Sequence, residues 1–162
     1  MRRLMVPAVL VASLLLLGTS AAFARGITHS VSLGGPDACT TFGVKPGCNG
    51  NFSLVAKQSA NGTVTGQYAD QGGHGFGGWH GVVDCLSVDG NEAWVSGVIT
   101  SGDFFGLPIV GWPFVLMLRD NGTSAEDPPD QAAFAEIGND TPCTEQPDLY
   151  LFDIPQGQVT VR

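Results

Sequence analysis

The chain has 162 residues and a formal net charge of −8; 43% of its residues are hydrophobic, only 14% are charged, and 23 are glycines. A chain this apolar can bury enough surface to offset the entropy of ordering, which disfavours disorder, and its acidic charge disfavours nucleic-acid binding, which needs a basic face. Its glycine content disfavours a long helix or a coiled coil, so at this length we expect one domain rich in β structure.

The N-terminus carries the pattern of a secretory signal peptide. Arg2 and Arg3 precede the apolar run Leu4–Leu17, and Ala22-Phe23-Ala24 places small residues at both positions that a signal peptidase reads. A membrane anchor is the alternative, but the run is shorter than the roughly 20 apolar residues that a bilayer requires. We therefore expect cleavage after Ala24, a secreted or periplasmic protein, and no membrane insertion of the mature chain.

Hydrophobic alternation at period two dominates the rest of the chain and predicts β-strands. The clearest case is Thr63–Ala69, and Asn61-Gly62 before it predicts a hairpin turn from an upstream strand over Phe52–Ala56. The other predicted strands are Ile27–Leu33, Trp79–Val88, Glu92–Thr100, Trp112–Arg119, Tyr150–Ile154 and Gln158–Val161.

Three details of the C-terminal half carry further predictions. The strand Trp112–Arg119 is apolar on both faces, which indicates a central strand covered on both sides, with Trp112 and Phe114 sharing one face. Gln131–Ile137 follows Pro128-Pro129 and Asp130, which is typical of a capped helix start, so it is predicted to be a short helix. Pro155-Gln156-Gly157 predicts a hairpin that joins the last two strands.

These elements predict an all-β fold, a single antiparallel domain of about eight short strands that forms a small up-and-down barrel or a sandwich. Hairpin-length connections between neighbouring strands favour the up-and-down order. Once residues 1–24 are removed, this domain spans residues 25–162 and carries a net charge of −10, because two arginines and no acidic residue are lost.

Four cysteines, Cys39, Cys48, Cys85 and Cys143, remain after that cleavage. An even number in an exported chain indicates two disulfides, and four cysteines allow three pairings. We favour Cys39–Cys48 and Cys85–Cys143, because the first pair brackets a short glycine- and proline-containing loop. The spacings contain no close cysteine pair, which disfavours a zinc site.

Two stretches of the chain resemble a family of small secreted bacterial proteins. The first is His80–Thr100, with the pattern HG-x-V-x-CL-x-V-x-GN-x-AW, and the second runs from Asp120-Asn121-Gly122 to Asp127–Gln131, with the pattern DNG followed by PPDQ. The similarity extends over Phe52–Gln131 and returns at Gly157–Val161. Because the family is uncharacterised, the resemblance implies a secreted β domain and no particular activity.

An acidic, turn-rich loop is the candidate metal site. Asp120, Glu126, Asp127 and Asp130 place four carboxylates within eleven residues, and Ca²⁺ prefers six to eight oxygen ligands. The spacing is not that of an EF-hand, and a solvated acidic turn in which aspartates cap backbone amides explains the same residues without a metal. Weak calcium binding is the only cofactor hypothesis that the sequence offers.

A candidate ligand surface surrounds the glycine-rich segment Gly72–Gly78. It contains His74, Trp79 and His80, although a surface hairpin tip and a tryptophan in the core are the favoured explanations of these residues. His80 and Asp84 lie on one strand face but about 13 Å apart, at 3.3 Å per residue, so they cannot form a direct catalytic pair.

No catalytic residue is assigned from the sequence. The expected function is a secreted, non-catalytic β domain that binds an extracellular partner, either a small ligand, a glycan or a protein. The alternative is a hydrolase-like enzyme that uses a histidine and a carboxylate; a histidine within about 3 Å of a carboxylate or serine in a cleft would support it.

Overall fold

The computed structural model describes residues 26–36, 50–72, 77–154 and 156–162. The predicted leader, residues 1–24, lies outside them, as do Cys39, Cys48 and His74. The described strands are β1 (Ile27–Pro36), β2 (Asn51–Ser59), β3 (Val64–Gln71), β4 (Gly77–Asp89), β5 (Glu92–Phe104), β6 (Leu107–Pro108), β7 (Pro113–Arg119), β8 (Gln131–Ala133), β9 (Glu136–Ile137), β10 (Leu151–Asp153) and β11 (Gln158–Val161), with one 3₁₀ helix at Cys143–Glu145.

All eleven strands belong to one antiparallel sheet that curls into a half-barrel. The order across the sheet is β10-β8-β7-β5-β4-β3-β2-β1-β11, with β6 paired to β5 and β9 paired to β7. The all-β, antiparallel prediction is confirmed, and from β1 to β5 each strand pairs with its neighbour in the chain, as the up-and-down order requires. The curled single sheet excludes two separate packed sheets among the described residues.

Two local predictions in the C-terminal half are wrong. Gln131–Ile137 is not a helix, because Ala132 and Ala133 pair with Phe152 and Leu151 of β10, and Ala132 also pairs with Leu118 of β7. Tertiary strand pairing therefore overrides the helix preference of alanine. The last two strands do not form a hairpin either, because β10 pairs with β8 whereas β11 pairs with β1, at the opposite end of the sheet order.

The main core fills the inner face of the curled sheet. Tyr68, Trp79 and Phe114 form an aromatic cluster there, with ring centroids 4.7 to 5.7 Å apart. Gly81 makes room for this cluster, because a Cβ atom at that position would lie 2.5 Å from the Phe114 ring. The alternation of buried and exposed residues in β2 and β4 is the period-two pattern that predicted these strands.

A second, smaller core covers the opposite face of β7. Val115 and Met117 pack there with Trp94, Cys143 and Leu149, so the prediction that this strand is covered on both sides is confirmed. The Cys85–Cys143 disulfide and a hydrogen bond from Trp94 Nε1 to the Pro147 carbonyl (3.0 Å) hold the covering segment on the sheet. The predicted Cys85–Cys143 pairing is thus present, whereas the predicted Cys39–Cys48 pair lies outside the described residues.

Candidate functional site

The acidic loop between β7 and β8 lies beside the free edge of β11. Ser30 of β1 and Arg162 exchange both of their backbone hydrogen bonds. Because bonded and non-bonded pairs alternate along an antiparallel ladder, the pairs Leu33–Val159 and Val31–Val161 are non-hydrogen-bonded, so the N–H groups of Val159 and Val161 face away from β1.

Two aspartates of the DNG and PPDQ motifs accept those N–H groups. Asp130, only 6% exposed, accepts hydrogen bonds from Val159 N (2.6 Å) and Asn121 N (2.7 Å). Asp120 accepts from Val161 N (3.0 Å) and Gly122 N (3.0 Å). The two carboxylates therefore take the place of a neighbouring strand and join the β7–β8 end of the sheet to β11, a contact that we call the carboxylate seam.

A polar ladder continues from the seam across four strands. Arg119 forms an ion pair with Glu92 (2.6 Å) and donates to Gln131 Oε1 (2.8 Å). Gln131 in turn donates to Asp153 Oδ1 (2.8 Å), and each of these residues is the register partner of the next. Asp120 and Asp130 of the second resemblance stretch are thus used in the seam, and Gln131 is used in the ladder.

The structure does not assemble the candidate calcium ligands. Asp120 and Asp130 accept backbone amides at the seam, Asp127 accepts from Ser124 N (2.8 Å), and Glu126 is exposed. In the part of the chain that the structure describes, no group of three or more acidic, histidine or cysteine side chains is arranged to hold a metal ion. Hydrogen bonds from backbone amides therefore stabilise the carboxylate charges of Asp120, Asp127 and Asp130.

We expect calcium to leave the stability of this loop unchanged. Melting curves in millimolar calcium and in chelator, at matched ionic strength, should coincide, since the hydrogen bonds of Asp120, Asp127 and Asp130 need no ion. A rise of several degrees with calcium that disappears in an Asp127→Asn variant would instead establish the metal site.

The three residues of the candidate ligand surface have different positions. Trp79 is 3% exposed and packs in the aromatic core, which is the explanation that the sequence favoured for it. His80 is exposed on the outer face of β4. His74 lies outside the described residues.

His80 lines an open groove of about 840 Å³ on the outer face of β2–β5. Val55, Gln67 and Val82 form a row across the groove, because Val55 pairs with Gln67 and Gln67 pairs with Val82. The polar side chains that line it are Ser53, Thr65, Gln67, His80, Asp84 and Thr100. This volume falls within the range of small-molecule sites, but the groove is open to solvent along the sheet face and does not enclose a ligand.

Two irregularities in the β4–β5 pairing shape this groove. The register shifts between His80 and Gly81 and again between Val83 and Cys85. Thr100 and Asp84 are consequently the two groove residues without a ladder partner between these strands, and Thr100 Oγ1 donates to the His80 carbonyl (3.2 Å). Bulges of this kind re-aim side chains and are common beside binding sites.

In the described part of the chain, His80 does not have the carboxylate or serine partner that would support the hydrolase-like alternative. Among the described residues, no histidine is hydrogen-bonded to or ion-paired with a carboxylate or a serine. His80 and Asp84 line the same groove without contacting each other, as their spacing on β4 predicts. The arrangement supplies hydrogen-bond donors and acceptors above an apolar floor, which suits binding.

Comparisons with models of protein families, with curated proteins and with solved structures found no match. The resemblance to small secreted bacterial proteins therefore stays a prediction. A function for this chain is therefore inferred from the groove and the residues that line it.

Several groove residues were not singled out from the sequence. Val55, Gln67 and Thr100 belong to three different strands, and only the register brings them together. A signal was present in the sequence, since Val55 and Val82 fall on the polar side of alternating strands, where a valine is unusual. The uncharged run from Phe104 to Leu118 is a second unusual feature of the sequence.

Proposed function

We propose that the protein is a secreted, non-catalytic binding domain whose outer-face groove takes a neutral, hydroxyl-rich ligand, a short glycan segment. The presence of Gln67, Asp84 and Thr100 along a groove that also exposes Val55 and Val82 supports this proposal. A carboxylate, an amide and hydroxyls can accept from and donate to sugar hydroxyls, while the valines contact the apolar faces of the rings. The net charge of −8 disfavours an anionic ligand.

Secretion is part of the proposal and has two supports. The leader pattern over residues 1–24 is typical of export, and the Cys85–Cys143 disulfide is typical of an oxidising compartment. No helix among the described residues has the length and apolar character needed to cross a bilayer.

Titration of isotope-labelled protein with a panel of neutral oligosaccharides tests the groove. We expect amide shifts to concentrate in β2–β5, and Asp84→Ala to weaken binding by roughly 10- to 100-fold, because hydrogen bonds to a charged acceptor contribute about 1.5–3 kcal/mol. Asp89→Ala, which removes an exposed carboxylate at the end of the same strand, is the matched control and should bind normally.

The same titration separates binding from hydrolysis. Shifts confined to other strands, or equal losses in Asp84→Ala and Asp89→Ala, would contradict the groove proposal. Cleavage of an oligosaccharide that is abolished by His80→Ala would favour the hydrolase-like alternative instead.

A further inference from the structure

An apolar hairpin projects from the end of β5 and has no role in the groove. We call residues 104–112 the apolar arm; it comprises the end of β5, the turn, β6 and the segment that leads to β7. Phe104 pairs with Leu107 to close a two-residue turn, and Asp103 Oδ1 accepts a hydrogen bond from Gly106 N (2.8 Å). Only Ile109 of the arm is anchored in the main core.

The arm places five large apolar side chains on the surface within nine residues. Each is between 44% and 64% exposed, and they are Phe104, Phe105, Leu107, Val110 and Trp112. No charged residue occurs from Phe104 to Leu118. Scattered single hydrophobic residues are normal on a surface, whereas a cluster of this kind marks an interaction site.

The turn itself holds a phenylalanine in an unfavourable conformation. Phe105 and Gly106 have φ values of 53° and 76°, the left-handed pair typical of a type I′ turn, in which asparagine followed by glycine is preferred. A bulky aromatic residue disfavours this conformation. Backbone strain of this kind persists mostly where a side chain serves a function. We therefore attribute the presence of a phenylalanine at position 105 to contacts of its exposed ring with a binding partner, and not to the stability of the turn.

We propose that the apolar arm inserts into the outer layer of a lipid bilayer with neutral headgroups. A projecting tip fits a fluid apolar phase rather than a preformed pocket. Three backbone donors of the arm are already satisfied within the protein, because Gly106 N, Gly111 N and Trp112 N donate to Asp103, Ile99 and Ile109. Each backbone group that is satisfied in this way lowers the cost of entering hydrocarbon.

The charge of the protein favours neutral over anionic lipid headgroups. The arm carries no lysine or arginine, and the whole chain has a net charge of −8, so an anionic surface repels the protein. Trp112 lies at the base of the arm, opposite Ile99, and an indole ring suits the headgroup region. Insertion therefore rests on apolar contact and is independent of the proposed glycan groove, which lies on other residues.

Flotation of the protein with phosphatidylcholine vesicles tests this inference. We expect the wild-type protein to float with the vesicles and its tryptophan fluorescence to shift to the blue. Trp112 is the exposed one of the three tryptophans, whereas Trp79 and Trp94 are buried, so the shift reports the arm. Phe105→Asn should lower vesicle partitioning about tenfold, because the ring is no longer available for burial. The same substitution creates the preferred turn sequence and should raise the melting temperature, so lost binding cannot be attributed to unfolding.

Ile27→Asn is the matched control, since Ile27 is 58% exposed but lies in β1, outside the arm. This variant should partition like the wild type. The proposal is overturned if the wild-type protein does not float, if both variants lose binding equally, or if Phe105→Asn abolishes a concentration-dependent dimer without changing flotation. If Phe105→Asn binds oligosaccharides like the wild-type protein, its loss of vesicle binding is independent of the groove. A negative result for either proposal then leaves the other one standing.

Discussion

Asp130→Ala is expected to destabilise the fold by about 3–6 kcal/mol. The carboxylate accepts two backbone amides from a buried position, and a hydrogen bond to a charged group contributes about 1.5–3 kcal/mol. Because a domain is stable by only about 5–15 kcal/mol in total, this single change should move the urea midpoint strongly. Asp130→Asn should be intermediate, since the amide keeps one acceptor oxygen.

Asp127→Ala supplies the control for the seam. Its carboxylate lies in the same acidic loop but accepts only Ser124 N, in an exposed turn, so we expect a loss of about 1 kcal/mol or less. Equal losses in Asp127→Ala and Asp130→Ala would mean that the carboxylate seam does not hold β11.

Removal of the Cys85–Cys143 disulfide by a double alanine substitution is expected to cost about 4 kcal/mol. The bond spans 58 residues, and closing a loop of that length in the unfolded chain has an entropic cost of about this size. The second core should loosen with it, because the bond fixes the segment that covers Val115 and Met117. Denaturant melts of the oxidised protein and the double variant measure the difference.

Reductant provides the control for this prediction. It should lower the stability of the wild-type protein at least as much as the double substitution does. Any additional effect of reductant on the double variant would report the predicted Cys39–Cys48 bond. If reductant leaves the wild-type midpoint unchanged, the disulfide contributes nothing and the prediction is wrong.

The strands were largely predictable because their signal is local. Alternation in β3 and β4 depends only on neighbouring residues, and the predicted strand Gln158–Val161 has the same bounds as β11. The three strands that the sequence analysis missed, β6, β8 and β9, have two or three residues each, which is too short for a period to register.

The site was less predictable because its parts come from different strands. Asp130 looked like a helix cap, since a local rule considers only the residues that follow it, whereas its partner Val159 lies 29 residues further along the chain. Trp79 was a candidate for the ligand surface but is buried in the core, whereas Trp112, predicted to share the buried face of Phe114, is 49% exposed on the arm.

The sequence alone thus determined the all-β class, the antiparallel succession from β1 to β5 and the two-sided burial of β7, because each follows from the pattern of apolar residues and the turns along a short segment. Tertiary structure decided which ends of the sheet meet, which aspartates serve as acceptors for β11, and which exposed residues form the groove. Those features depend on register and curvature, where one bulge changes which side chains become neighbours.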